Sequence, residues 1–215
     1  MRWNYLLLRP LFALLYHQAA CTYDFVAAIV SLGRWQVWVG SALPYLEGHV
    51  LELGFGPGHL QFSLSKNGLN SFGLDESRQM AHQASHRLRR AGLNPCLVRG
   101  YAQTIPFAQE VFDTVVATFP SDYIYNPQTL NEIARVLAPT GRLIILPMAW
   151  TTGTRPLERL AAWVFRVSGE APGNPRQISK ALINRFTQNG FNVYSETVSM
   201  QGSQVLVIVA TKKTV

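Results

Sequence analysis

Three observations predict an α/β fold with a mainly parallel seven-stranded sheet, one antiparallel strand and helices on both faces. From Val50 onward, short apolar runs alternate with segments of helical periodicity, the pattern of strand–helix–strand units. The first run, Val50 to Leu53, passes straight into glycines at one-residue gaps, Gly54, Gly56 and Gly58, and then into an apolar-periodic segment. That reads as strand, tight turn and helix, a place where bare backbone N–H groups can meet a small ligand. The last two runs, 191–199 and 204–212, flank Gln201-Gly202-Ser203, a hairpin turn that sets an antiparallel strand beside the parallel ones.

The elements follow in order. Residues 1–47 are predicted as a helical cap. Tyr5, Leu6, Leu8, Leu11, Phe12, Leu15 and Tyr16 cover more than one helical face, and Phe25, Val26, Ile29, Val30 and Leu32 continue at helical spacing. Packing on the sheet edge accounts for this surface; the sharper alternative is an interfacial patch of Trp3, Arg34, Trp35 and Trp38, because rings with basic neighbours favour the headgroup zone. Arg9 and Pro10 interrupt the stretch, and no apolar run reaches the ~18 residues that span a bilayer, so neither a signal peptide nor a membrane span is predicted.

Residues 48–215 form the main unit of what is a single structural domain. Its predicted elements are strand 50–54, helix 57–66 begun by Pro57, strand 70–75, helix 77–91 closed by Gly92, strands 96–99 and 112–118, helix 127–137 closed by Gly141, and strand 142–147. The alternation then pauses. Pro156 to Val167 carries Leu157, Leu160, Ala161, Val164 and Phe165 at helical spacing with Arg155, Arg159 and Arg166 elsewhere, a lid-like insertion over about 150–175. Helix 176–189 and the hairpin end the chain.

Composition narrows the class. At 215 residues, 48% hydrophobic and 14% charged, the chain suits one folded domain. The net charge is +7, and Gly141 to Val215 holds nine Lys/Arg against three Asp/Glu. No basic run interleaved with aromatics tracks a nucleic acid, so that partner is not expected. Cys21 and Cys96 stand apart from each other and from histidines at metal spacing, which predicts reduced cysteines in a cytoplasmic protein and no metal site.

In an open parallel sheet, ligands bind beyond the carboxyl ends of the strands. That selects Gly54 to Gly58, Asp75 with Glu76, Gly100 to Gln103, and Thr118 to Tyr123. Asp75 ends the second strand about twenty positions after the first glycine, where a carboxylate holds ribose hydroxyls. The sixth position of a dinucleotide fingerprint is His59 in place of glycine, which disfavours a nicotinamide or flavin cofactor. Glu52, inside the first strand, is a carboxylate that needs a partner; the amino group or sulfonium of a cationic ligand is the expected one.

The segments V-L-E-L-G-F-G-P-G, G-L-D-E-S-R-Q-M (Gly73 to Met80), A-Q-T-I-P-F (Ala102 to Phe107), F-D-T-V-V-A-T (Phe112 to Thr118) and E-I-A-R-V-L-A-P-T-G-R-L (Glu132 to Leu143) resemble the ordered signature of class I S-adenosylmethionine-dependent methyltransferases. Upstream, Tyr23 to Trp38 is similar to the corresponding segment of the ubiquinone and menaquinone biosynthesis C-methyltransferases, keeping Tyr-Asp, Ser-x-Gly and the distal Trp. The resemblance implies a Rossmann-like sheet and S-adenosyl-L-methionine as cofactor. It assigns the methionine part to Glu52, Gly54, Phe55, Gly56 and Gly58, the ribose to Asp75 beside Glu76, and the adenine to Met80 and the Tyr101-Ala102-Gln103 turn, with Thr118 at the fourth strand exit. Tyr101 stands where the family places an acidic residue, leaving a ring stack or a backbone contact for the adenine, and Thr140 replaces a usual glycine.

Methyl transfer from a sulfonium chiefly requires alignment and exclusion of water, so a catalytic base is optional. Asp122, Tyr123 and Tyr125 past the fourth strand, with His17 and His59, are the candidates, and none is singled out. T-F-P-S-D-Y stands where amino-group methyltransferases carry N-P-P-Y. The acceptor implied is small or lipidic, a quinol ring or phospholipid headgroup first. The rival readings are a soluble aromatic metabolite and a non-catalytic cofactor-binding module at a membrane surface. Peripheral membrane contact and a homodimer are both left open.

Overall fold

The computed structural model describes residues 33–94, 96–152 and 175–213. The expectations for most of the N-terminal cap, with Trp3, His17 and Cys21, and for the lid helix with Arg155, Arg159, Trp163 and Arg166, lie outside the described residues.

The elements are α1 (Trp35–Gly40), β1 (His49–Leu53), α2 (His59–Lys66), β2 (Asn70–Asp75), α3 (Arg78–Arg90), β3 (Cys96–Arg99), β4 (Phe112–Thr118), α4 (Pro127–Val136), β5 (Leu137–Thr151), α5 (Pro175–Gln188), β6 (Phe191–Met200) and β7 (Ser203–Lys212). They build a seven-stranded sheet in the order β3-β2-β1-β4-β5-β7-β6. Strands β1 to β5 pair in parallel, and β7 runs antiparallel to both its neighbours. After β1 the chain builds outward through β2 and β3, then returns to lay β4 on β1's other side. That reversal opens a crevice at the carboxyl ends of β1 and β4.

Side chains alternate between two cores, one on each face of the sheet. Leu51 and Leu53 of β1, Val115 and Ala117 of β4, and Leu143 and Ile145 of β5 meet Leu130 and Ile133 of α4 and Leu182 and Phe186 of α5. On the other face Val50, Val116, Ile144, Leu146 and Val207 meet Trp38 and Val39 of α1 and Leu60 and Leu64 of α2. Helix α3 seats Ala84 and Leu88 against Phe55. The segment before β1 is fastened to the sheet at several points: Arg34 Nη1 donates to Gly202 O at 3.1 Å, the Tyr45 hydroxyl to the Glu196 carboxylate, and Glu47 exchanges backbone bonds with the Thr114 hydroxyl.

Strand β5 runs on to Thr151 where 147 was expected, most other ends agree to within a residue, and two differences have local reasons. Helix α2 begins at His59 and not at Pro57, because Gly58 is left-handed at φ +82° and acts as the residue before the helix. Helix α4 ends at Val136 and the chain enters β5 directly. The pairing with β4 then jumps from Phe112–Leu137 to Thr114–Arg142, so Gly141 lies buried beside this irregularity and closes no helix.

A clamp joins α4 to the loop after β3. Arg135 Nε and Nη2 donate to the Glu132 carboxylate at 2.7 and 2.8 Å, Nη1 to Phe107 O at 2.8 Å and Nη2 to Ile105 O at 2.9 Å, while Glu132 Oε2 accepts from Ile105 N at 2.8 Å. Arg135 therefore holds the Glu132 carboxyl below its ordinary range. Arg135→Ala is expected to lower stability by about 1 to 3 kcal/mol, the range for hydrogen bonds to charged groups reduced by partial exposure. Urea denaturation at pH 7 checks it; an unchanged midpoint would mean that the loop holds without the guanidinium.

Candidate cofactor site

The carboxyl ends of β1, β2, β3 and β4 surround a cavity of about 620 Å³. Of the residues expected at a cofactor, Gly54, Gly56, Asp75, Glu76, Met80, Tyr101, Ala102, Gln103 and Thr118 line it. Ser77, Gln79, Phe119, Pro120, Ser121 and Tyr123 line it as well.

The glycine turn is built as its sequence requires. Gly54, Gly56 and Gly58 all have positive φ. At Gly54 a Cβ would lie 2.6 Å from the Tyr123 hydroxyl, and at Gly58 a Cβ would lie 2.8 Å from Ala84 Cβ, so both also need the missing side chain. Gly58 thus serves helix packing and does not line the cavity. Phe55, between the glycines, turns inward at 3% exposure and packs on α3.

Asp75 anchors this turn. Its Oδ2 accepts from Gly56 N at 2.8 Å and its Oδ1 from Ser77 N at 2.8 Å, tying the turn to the start of α3. Burial raises the Asp75 carboxyl above its ordinary value, and the two amide bonds partly offset this. A carboxylate has about four acceptor sites, so two remain for hydroxyl donors in the cavity. Ser77 caps α3 by accepting from Met80 N at 3.3 Å, the residue type a helix start calls for. That signal was present in the sequence, although it pointed to a cap and not to a cavity wall.

Glu52 sits elsewhere. It shares with Val50 the face of β1 that α2 covers, at 1% exposure, and its partner is a side chain of the protein: Gln61 Nε2 donates to Oε2 at 2.9 Å. Gln61 also donates to Phe72 O and accepts from the Ser71 hydroxyl. Burial pushes the Glu52 carboxyl up to about 8; the Gln61 bond opposes this, and the nearby Asp75 charge adds to it. The partner the fold gives Glu52 is thus the Gln61 side-chain amide, and Glu52 is not among the residues that line the cavity.

Among the suggested proton-transfer groups, Tyr123 lines the cavity, and its hydroxyl donates to Leu53 O at 2.9 Å. Asp122 is exposed, His59 opens α2, and Tyr125 packs under Arg185, whose guanidinium lies 5.7 Å from its ring centre; none of these lines the cavity. Tyr101 is 59% exposed at the rim. No cluster of three or more metal-ligating side chains occurs among the described residues, and none of their helices is long and apolar enough to cross a membrane.

Residues 51–145 match the family described as a methyltransferase domain. The chain is 30% identical over 148 residues to the ubiquinone/menaquinone biosynthesis C-methyltransferase of Blochmanniella floridana, covering 64% of this chain and 58% of that one. It is 34% identical over 102 residues to a phosphatidylethanolamine N-methyltransferase of Cereibacter sphaeroides, covering 46% and 50%. The chain thus spans 58% and 50% of the length of these two relatives. In fold it is similar to a S-adenosylmethionine-dependent methyltransferase of Aquifex aeolicus, with a TM-score of 0.62 at 19% identity over 86% of this chain and 97% of that one.

Proposed function

From the premise that this chain carries a class I S-adenosylmethionine-dependent methyltransferase domain, we propose that it moves a methyl group to a small or lipidic acceptor, a quinol ring or phospholipid headgroup. The observation that carries this reading is Asp75. It is a carboxylate with acceptor sites to spare, at the exit of β2, facing a left-handed glycine turn whose Gly56 amide it already holds. S-adenosylmethionine would supply an activated methyl on a sulfonium. In this assignment Asp75 holds the ribose hydroxyls, Gly54 and Gly56 leave room for the methionine part, and Met80 with Tyr101 to Gln103 flanks the adenine. Residues 118–123 are then left to wall the acceptor end, and Tyr123 fixes the turn through Leu53 O rather than moving a proton. In this assignment Glu52 is held by Gln61 of α2 and is left out of the cofactor contacts.

By their names, one relative is a C-methyltransferase of ubiquinone and menaquinone biosynthesis and the other an N-methyltransferase of phosphatidylethanolamine, which supports an acceptor of lipid character. Such an acceptor would bring the protein to a membrane surface. The cofactor is expected to bind in the micromolar range, of order −8 kcal/mol, with no comparable affinity for NAD. Calorimetry with S-adenosylhomocysteine and NAD checks this, and tighter NAD binding would overturn it. Labelled-methyl turnover on a demethylated quinol, phosphatidylethanolamine and a panel of soluble phenols separates the acceptors; activity on soluble phenols alone would remove the lipid reading.

A further inference from the structure

The chain leaves β4 through an unfavourable conformation. Phe119 has φ +50°, in the left-handed region that a bulky side chain rarely enters. It also precedes Pro120, and a residue before proline is pushed toward extended backbone. Its amide closes the β4–β5 ladder by donating to Leu146 O at 2.8 Å, so the turn comes directly after the last ladder bond and carries Pro120 and Ser121 across the cavity wall. Strain of this kind persists only where the surroundings over-determine it.

What holds it is aromatic. The Phe119 ring lies 4.7 Å from the Trp35 ring and 6.4 Å from the Trp38 ring, both tilted, a geometry at which aromatic pairs attract beyond their buried area. Trp38 is 4% exposed. Helix α1 is in turn pinned to the β6–β7 turn through Arg34. A continuous path therefore runs from the segment before β1 to the wall of the cavity.

We propose that Phe119 is a positioning residue: the tryptophans of α1 clamp it in the left-handed conformation, and that conformation sets the 118–121 wall against the cofactor. The inference rests on the reading of the cavity as a cofactor site, but its central contrast can be read without a ligand. Phe119→Gly removes the ring yet takes positive φ freely; Phe119→Val keeps some apolar packing but resists that backbone. If side-chain packing were all that mattered, the valine variant would be the better of the two. If the backbone matters, the glycine variant is.

The expected result is that Phe119→Val weakens S-adenosylhomocysteine binding by about tenfold and lowers the melting temperature more than Phe119→Gly, which binds within about threefold of the parent. Trp35→Ala should weaken binding in the parent and do little in the Phe119→Gly background, where no clamp is needed, a non-additivity that a double-mutant cycle reads. Should Phe119→Val fail to fold, Phe119→Ala is compared with Phe119→Gly in its place. A glycine variant inferior in both binding and melting temperature, or additive losses in the cycle, would overturn the proposal. If the parent ignores S-adenosylhomocysteine, the cofactor reading fails and the positioning of the wall against a cofactor falls with it, whereas the order of melting temperatures still decides whether the tryptophans clamp Phe119 in the left-handed conformation.

Discussion

Asp75→Ala should weaken S-adenosylhomocysteine binding roughly 10- to 150-fold, corresponding to about 1.5 to 3 kcal/mol for hydrogen bonds to a charged group. Two losses act in the same direction. The ribose hydroxyls would lose their acceptor, and the Gly56 and Ser77 amides would lose the carboxylate that ties the glycine turn to α3. Asp75→Asn separates them: one oxygen can still take a backbone amide, so the turn is partly kept while the charge is gone. Its affinity should fall between those of the parent and the alanine variant. Calorimetry, with circular dichroism to establish folding, checks both, and undiminished affinity in a folded Asp75→Ala protein would remove Asp75 from the site.

Stability should fall as pH rises from about 5 to about 8, and Glu52 is the main cause. Its folded carboxyl is pushed up to about 8 from an ordinary 4.5. Between those values the folded chain binds a proton that the unfolded chain has released, so each unit of rising pH favours unfolding by at most about 1.4 kcal/mol. The contribution is fully present below the unfolded value and is lost as pH passes through the folded one. Asp75, also raised, adds in the same sense, whereas Glu132, lowered, acts only at more acid pH. Glu52→Gln keeps an acceptor for Gln61 and cannot ionise, so its melting temperature should vary less across this window. Equal slopes for parent and variant would show that Glu52 is not the proton carrier.

Most of the fold was legible because its signals are local and repeated. Seven apolar runs at the right spacing give the strands, and Gly202 in a polar turn gives the hairpin that makes β7 antiparallel. The place of Asp75 at the cavity was legible because it ends a buried strand at the carboxyl edge of the sheet, where ligand crevices open. The orientation of Glu52 was half legible: period two places it on one face with Val50 and against Leu51 and Leu53, but only the packed helix α2 and its Gln61 decide that this face is closed. Gly58 could be read as a turn glycine, yet its approach to Ala84 depends on where α3 docks, which is a tertiary fact. Phe119 carried no signal at all. An aromatic residue after a strand and before a proline argues for extended backbone, and the left-handed turn becomes intelligible only once Trp35 and Trp38 are seen against its ring. Gly141 misled because a glycine soon after a helical pattern usually closes it, whereas Val136 here runs into β5 without a turn.

Bonds that brace the glycine turn, Gly54 N to Leu74 O, Gly56 N to Asp75 and the Tyr123 hydroxyl to Leu53 O among them, are made entirely within the protein. The turn therefore does not wait for a ligand to acquire its shape, and the conformational entropy of ordering it belongs to folding and not to association. With the cofactor bound as proposed, docking is expected to be largely rigid. Differences in affinity among ligands then reside in how long each stays, because the rate of arrival is set by diffusion and orientation and is nearly common to all.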